Sequence, residues 1–277
     1  MPGPVADPDP SLMEPYSNDA ALHLPRISPD GRAPMEVYAA GFDPSNLRPR
    51  VSLLIAGIGI NAADSVAAIK ILPGGISLAV SPYAGDVTGL LAVARLNEHE
   101  YLLSLPMEPQ SFPLNDPDNR IALMTSLSPA ENLGRLHAAL ARLIGYVGVT
   151  NAYGPMRGER LSGMAVQFDT VLEDVAHRGL LFADARTGQP PLPYLWSRSV
   201  DIVLDDGNID AGLLDRRLDA LTHLALDNGS ALGLVLLPRP VTLGRVAAWT
   251  NTLAAKGVTL VPVSALMLSP PQQEPDK

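Results

Sequence analysis

Asp184 and Glu108 are the two carboxylates best placed for acid–base chemistry. Asp184 lies at the end of the run GLLFADA (179–185), and Glu108 follows EYLLSLPM (100–107). A facing pair at such positions would serve as general acid and base. Arg186 lies two residues beyond Asp184, and Arg239 follows ALGLVLL (231–237). The same acids therefore have a structural alternative, as the ion pairs Asp184–Arg186 and Glu108–Arg239. Asn151 and Tyr153 follow YVGVT (146–150). An amide offers both donors and an acceptor, and a phenol ring an apolar face with a polar tip. Asp205-Asp206-Gly207 reads as a turn into a helix N-terminus, where acids are favoured.

Other chemistries find less. Gly57-Ile58-Gly59-Ile60-Asn61-Ala62 fits G-x-G-x-x-A between a strand and a helix. A dinucleotide site would also need an acid at the end of the next strand, and that strand ends Val80-Ser81-Pro82-Tyr83. The glycines read instead as a tight strand-to-helix turn. There is no G-K-[ST] and no G-x-S-x-G. With no cysteine in the chain, disulfides, thiolate catalysis and Cys-ligated zinc are excluded. The five histidines show no metal-ligand spacing. His137, His177 and His223 fall in predicted helices, His99 just before a strand, and His23 near the N-terminus, all read as packing or surface residues. No metal and no cofactor is expected.

The elements that must carry these residues alternate. Apolar runs at 51–56, 76–81, 100–107, 146–150, 179–185, 199–205, 231–237 and 258–266 predict eight strands. Helices are predicted over 64–72, 86–97, 128–145, 161–178, 208–228 and 242–256. Ser128-Pro129-Ala130-Glu131 is a strong helix start: serine caps, proline suits the first turn, and glutamate reaches back. Strands apolar throughout are those of a parallel sheet covered on both faces. The series predicts a distorted (β/α) barrel with outer helices, and a doubly wound open sheet is the alternative. In a barrel the functional residues collect at the C-terminal strand ends. Residues 1–49, rich in Pro, Asp and Ser, read as an N-terminal arm or linker; 50–268 form one domain; 269–277 read as a disordered tail.

Composition narrows the partners. The 277 residues are 47% apolar and 18% charged, which supports a large core. A net charge of −9 with no Lys/Arg-dense run argues against nucleic acid. No uninterrupted apolar stretch of about 18 residues is present, so no membrane span is expected. The N-terminal stretch does not read as a signal peptide.

The motifs VSLLIAGIG, LPGGISLAVSPYA, NEHEYLLSLPMEP, FPLNDP, ENLGRL, GYVGVTNAYG, RGLLFADART and LVPVSAL, in that order, resemble the divergent polysaccharide deacetylase family over roughly residues 45–268. Pro106-Met107-Glu108-Pro109 and Asn115-Asp116-Pro117 carry most of the likeness. The resemblance implies a distorted (β/α) barrel in which a divalent metal activates water against an acetyl carbonyl. It also implies an Asp-Asp pair after the first strand, and histidines after later ones. Here the pair's position holds Ala56 and Gly57, the Asn-His-x-Gly position reads Asn151-Ala152-Tyr153-Gly154, and the Gly-His-Pro position reads Leu236-Leu237-Pro238. Ala56, Gly57, Ala152 and Leu237 thus stand at degenerate ligand positions, and none can bind a metal through its side chain. The expectation is a catalytically degenerate protein of carbohydrate or cell-envelope metabolism. It would bind a polysaccharide or peptidoglycan-like glycan through Glu108, Asn151, Tyr153, Asp184, Arg186 and Arg239. The alternatives are an active hydrolase with a non-standard site, using Asp184 or Glu108 as base, and a scaffold that holds an envelope protein through its arm. The resemblance implies a periplasmic or envelope location, while the chain as written leaves the cytoplasm open.

Overall fold

A computed structural model describes residues 5–117, 120–207 and 210–269. The arm comes first: a 3-10 turn at Pro10–Leu12, the strands β1 (Met13–Tyr16) and β2 (Asp19–Pro25), and the short helix α1 (Pro34–Val37). Then strands and helices alternate: β3 (Arg50–Ile58), α2 (Ala62–Ile71), β4 (Ser77–Val80), α3 (Val87–Leu96), β5 (Tyr101–Ser104) and α4 (Pro129–Leu140). They continue with β6 (Gly148–Thr150), α5 (Glu159–Ser162), α6 (Ala165–His177), β7 (Leu181–Thr187), β8 (Ser197–Val200) and β9 (Ile202–Val203). Last come α7 (Ala211–Asn228), β10 (Ser230–Val235), α8 (Pro240–Thr250), β11 (Thr259–Leu260) and a 3-10 turn at Val263–Leu266.

The order of the main sheet is β8-β7-β6-β5-β4-β3-β10-β9, and the pairings of neighbouring strands are parallel. β8 and β9 are separated by Asp201 alone, so one interrupted stave joins β7 on one side and β10 on the other. Asp201 makes the seam: its N–H donates to Leu232 O at 2.8 Å, and its carboxylate accepts the Leu232 N–H at 2.7 Å. The result is a nearly closed parallel barrel, as the strand pattern predicts, and not an open sheet.

Alternation along each stave separates two apolar clusters. Leu53, Ile55, Leu78, Leu103, Val149, Phe182 and Val235 pack with helical residues such as Leu136, Val171, Leu221 and Val246. Leu54, Ala56, Ala79, Leu102, Ala183, Leu232 and Leu234 fill the interior together with Leu12 and Tyr38 of the arm.

Three boundaries differ from the sequence reading. The helix expected over 161–178 is broken at Gly163-Met164 into α5 and α6. The run 258–266 supplies only the two-residue β11, paired to the start of β3, before a 3-10 turn. Pro262 within that run cannot donate to a ladder, so the segment is not a full stave. The segment 1–49, read as an arm or linker, carries a hairpin in its described part and has no barrel strand before β3. Its hairpin β1–β2 packs on the domain, and Arg178 at the end of α6 donates to Glu14 at 2.9 Å and to Pro25 O at 2.9 Å. The expected tail lies almost wholly outside the described residues. The capping box at Ser128 forms as read: the Ser128 hydroxyl accepts the Glu131 N–H, and the Glu131 carboxylate accepts the Ser128 N–H.

Candidate functional site

The C-terminal ends of the staves form one face of the barrel, and the four degenerate positions meet there. Ala56 and Ala152 are fully buried in the interior cluster. Gly57 has φ +74°, a left-handed conformation that favours glycine. A Cβ built on it would lie 3.0 Å from Leu236 O and 3.0 Å from Leu237 Cδ2. Leu237 in turn lies 3.9 Å from the same construction on Gly154, which also faces Ile60 Cδ1 at 3.6 Å. The turn is continued by Ile60 N–H donating to Gly57 O at 3.2 Å, and Asn61 caps α2 by accepting the Asp64 N–H at 3.0 Å. The glycines thus make the tight strand-to-helix turn, with Leu237 packed on it.

Tyr83, after β4, and Tyr153, after β6, are half-buried and meet with their rings edge-to-face at 6.0 Å between centroids. Asp205, two residues past β9, bonds the segment that carries Leu237. It is buried and accepts the N–H groups of Leu236 at 2.6 Å and Leu237 at 3.1 Å. Burial raises its carboxyl above the usual carboxylate range, against the pull of those two N–H groups and of Arg239. The sequence reading made this acid part of a helix N-terminus. The helix α7 instead starts at Ala211 with Asp210 as its cap, and Asp205 clamps the end of β10. Its place directly after an apolar run was the available signal. Arg239 is exposed at the N-cap of α8.

The remaining polar candidates form two separate clusters. Asp184 takes Arg186 in a two-point ion pair, with Nε at 3.0 Å and Nη2 at 2.6 Å, and accepts the Arg186 N–H at 2.9 Å. Asn151, fully buried, ties this cluster together. Its Nδ2 donates to Asp184 at 3.1 Å and to Arg157 O at 2.9 Å, and its Oδ1 accepts the Ala185 N–H at 2.7 Å. That engages the whole amide, so Asn151 positions Asp184. The guanidinium of Arg186 lies over the Phe168 ring at 5.1 Å. Because Leu181, Ala183 and Ala185 face the interior, Asp184 and Arg186 project from the outer face of β7.

Glu108 is almost fully buried and does not pair with Arg239, as one sequence reading expected. Its partner is Arg160 of α5, at 3.0 Å, and its other oxygen accepts both N–H and hydroxyl of Thr125, at 2.6 and 2.8 Å. The reason is topological: the loop before α4 and the start of α5 fold over the end of β5, and the N–H groups of Arg160 and Leu161 donate to Glu108 O. Arg239 starts α8, next to β10 and Asp205. Glu108 and Asp184 share no hydrogen-bond partner.

A barrel of this class would hold its divalent ion at the floor of the strand-end face. The residues present do not fit one. The floor offers Ala56, Gly57, Ala152 and Leu237, and both oxygens of Asp205 are taken by backbone N–H groups. Among the described residues no group of three or more His, Asp or Glu is placed to hold a metal ion.

The fold is a nearly closed parallel (β/α) barrel. Residues 53–267 match the family model described as divergent polysaccharide deacetylase, and the chain belongs to that family. Among solved structures, an uncharacterized protein of Agrobacterium tumefaciens C58 is similar with a TM-score of 0.81 and 28% identity, over 88% of this chain and 99% of that one. The catalytic domain of peptidoglycan N-acetylglucosamine deacetylase from Eubacterium rectale ATCC 33656 aligns with a TM-score of 0.48 and 13% identity, over 82% of this chain and 93% of that one. No curated protein matches the chain. No helix among the described residues is long and apolar enough to cross a membrane.

Proposed function

We propose that this member of the family is catalytically degenerate and acts by binding a glycan across the strand-end face. One observation carries the first half: the four positions at which the resemblance implies metal ligands come together as Ala56, Gly57, Ala152 and Leu237, with Gly57 closed against Leu236 O. A carboxylate at Gly57 would need both a left-handed backbone and the space Leu237 occupies. Binding is supported by the half-buried aromatic pair Tyr83 and Tyr153, a residue type suited to packing on a sugar, and by exposed Arg239. Glu108–Arg160, past the end of β5, and Asp184–Arg186, on the outer face of β7, are paired charges, and Asn151 holds the second pair in place.

The ligand on this reading is a polysaccharide or peptidoglycan-like glycan, and the working location is the cell envelope. The alternative, a hydrolase with Asp184 or Glu108 as base, is weakened by the guanidinium already paired with each carboxylate. Capture of an envelope protein through the arm is weakened by the burial of Leu12, Tyr38 and Ala40 against the domain.

The test is acetate release from acetylated chitooligosaccharides with zinc, cobalt or manganese supplied, beside a binding titration with the same oligomers. We expect no acetate above the protein-free rate, and saturable binding that weakens about tenfold in Tyr153→Ala, the loss of roughly 1.4 kcal/mol of stacking. Metal-dependent acetate release would overturn the degenerate reading. Binding indifferent to Tyr153→Ala would remove the face from it.

A further inference from the structure

Outside the barrel, a cavity of about 250 Å3 lies between β2 of the arm, α3 and the turn after α4. Most of its wall is hydrocarbon, from Leu22, Val87, Leu91, Leu143 and Ile144. The ionisable side chains in that lining are all basic: Arg95, Arg142 and His23. No described carboxylate joins them, although the chain carries 29 acids against 20 lysines and arginines. An apolar pocket with a few polar groups is the usual form of a ligand site, and here those groups are cations.

The placement of Arg95 follows from its helix and its bonds. Val87, Leu91 and Arg95 recur every four residues along α3, so Arg95 leaves the helix on the face that lines the cavity. Its Nη1 donates to the Tyr101 hydroxyl at 2.8 Å, and that hydroxyl donates to Ile144 O at 3.0 Å. These bonds run from α3 to the turn after α4, so the guanidinium is held between two walls of the cavity. Its side chain is only 15% exposed. Tyr101 brings no negative charge, because burial pushes its phenol up to about 12 against the pull of Arg95. Asp7 of the arm stands 3.3 Å from Arg95 Nε, but its side chain is 95% exposed and lies outside the lining. A pair so open to water compensates a buried guanidinium poorly. Asp19, at the start of β2, is also outside the lining and accepts the Ala21 N–H at 3.0 Å. Arg142 is exposed, and neither its side chain nor that of His23 has a hydrogen bond or ion pair among the described residues.

We propose that this cavity binds a small amphipathic anion: a short alkyl chain ending in a carboxylate. The carboxylate is held by Arg95 and Arg142, and the chain lies against Leu22, Leu91, Leu143 and Ile144. Guanidiniums suit a carboxylate because their N–H groups match its two oxygens. At about 30 Å3 for each water-sized group, the volume holds roughly eight non-hydrogen atoms, the size of hexanoate. The inference is independent of the glycan reading, since the cavity shares no residue with the strand-end face. An occupant would bridge the hairpin of the arm to α3 and to the turn after α4.

The experiment is a titration of the full chain with hexanoate, followed by backbone amide shifts. Hexanol and hexylamine keep the chain and change the charge, and inorganic phosphate is an anion without a chain. Saturable shifts at Leu22, Thr88 and Ile144 are expected with hexanoate, with binding of hexanol weaker by about fivefold or more and no response to hexylamine. Arg142→Glu, at an exposed and unpaired position, is expected to weaken hexanoate binding by about fivefold or more while leaving the melting temperature unchanged. Ala21→Trp, at an exposed lining position of β2, is expected to abolish the shifts without unfolding the protein. Absence of saturable shifts at these residues would overturn the site. Equal binding of hexanol, or no loss in Arg142→Glu, would overturn the assignment of charge. Phosphate binding as tightly as hexanoate would overturn the amphipathic ligand.

Discussion

The two ends of the barrel treat buried polar groups in opposite ways. At the base, Glu100 is fully buried and accepts four hydrogen bonds, from Ser77 Oγ at 2.8 Å, Ala40 N–H at 3.0 Å, Ser264 N–H at 2.9 Å and Ser264 Oγ at 2.5 Å. These donors come from the arm, β4 and the C-terminal 3-10 turn, so one carboxylate ties three distant segments to the start of β5. Beside it His99, also fully buried, sets its ring nitrogens 2.7 Å from Ile76 O and 3.0 Å from Ile69 O. Ile69 lies in the last turn of α2, where the residue four on is Pro73, which has no N–H; the His99 ring takes that place beside the carbonyl. At the strand-end face Ala56, Gly57, Ala152 and Leu237 carry no polar side chain, and Asp205 accepts two backbone N–H groups. The base thus keeps a buried acid and a buried histidine, whereas the four positions where the resemblance implies ligands are apolar.

That contrast can be broken most forcefully at the base. Glu100→Ala leaves two backbone N–H groups and two hydroxyls without their acceptor, and should cost roughly 3 kcal/mol or more by chemical denaturation. A loss near zero would mean that the carboxylate does not organise the base. At the face, Ala56→Asp with Gly57→Asp restores the acids the family resemblance implies, into space already filled. We expect a destabilisation of about 1–3 kcal/mol and no stoichiometric zinc after equilibration. Retention of near one equivalent would show that the face still holds the rest of a ligand set.

The smallest effect is a pH dependence. Burial holds the His99 imidazole below its ordinary value of 6.5, outweighing the two carbonyls that favour the charged form. The unfolded chain then takes up the proton more readily than the folded one. Stability that His99 contributes above pH 6.5 is therefore lost as the pH falls toward the folded value. Glu100, whose carboxyl burial raises above 4.5, acts with the opposite sign, losing its contribution as the pH rises. The difference between the parent protein and His99→Leu, followed by denaturation from pH 7.5 to 5, isolates the histidine. A flatter acid limb in the variant is expected, and parallel curves would count against it.

Much of the barrel was legible in the chain. Period and punctuation locate β3 through β7 and β10, because strands covered on both faces are written as unbroken apolar runs. Ser128 and Glu131 mark the start of α4 because a capping box is a local exchange of bonds. The split of α5 from α6 was less legible, since the break at Gly163-Met164 sits within an otherwise helical pattern. The arm was least legible: Leu12, Tyr16, Leu24 and Tyr38 are scattered among Pro and Asp, and their partners lie far along the chain.

The candidate site divides along the same line. Sequence by itself determined that Ala56, Gly57, Ala152 and Leu237 carry no ligand atoms, because side-chain chemistry is a property of residue type. It also placed Glu108, Asn151, Tyr153, Asp184, Arg186 and Arg239 at or just past strand ends. Which of these face one another was decided only by the tertiary structure. Glu108 meets Arg160 and not Arg239, Asn151 spends its amide on Asp184, and Asp184 points out of the barrel because strand alternation puts Ala183 and Ala185 inside. Partner choice depends on the register and closure of parallel staves, set by contacts between residues distant in the chain, and no local pattern encodes it.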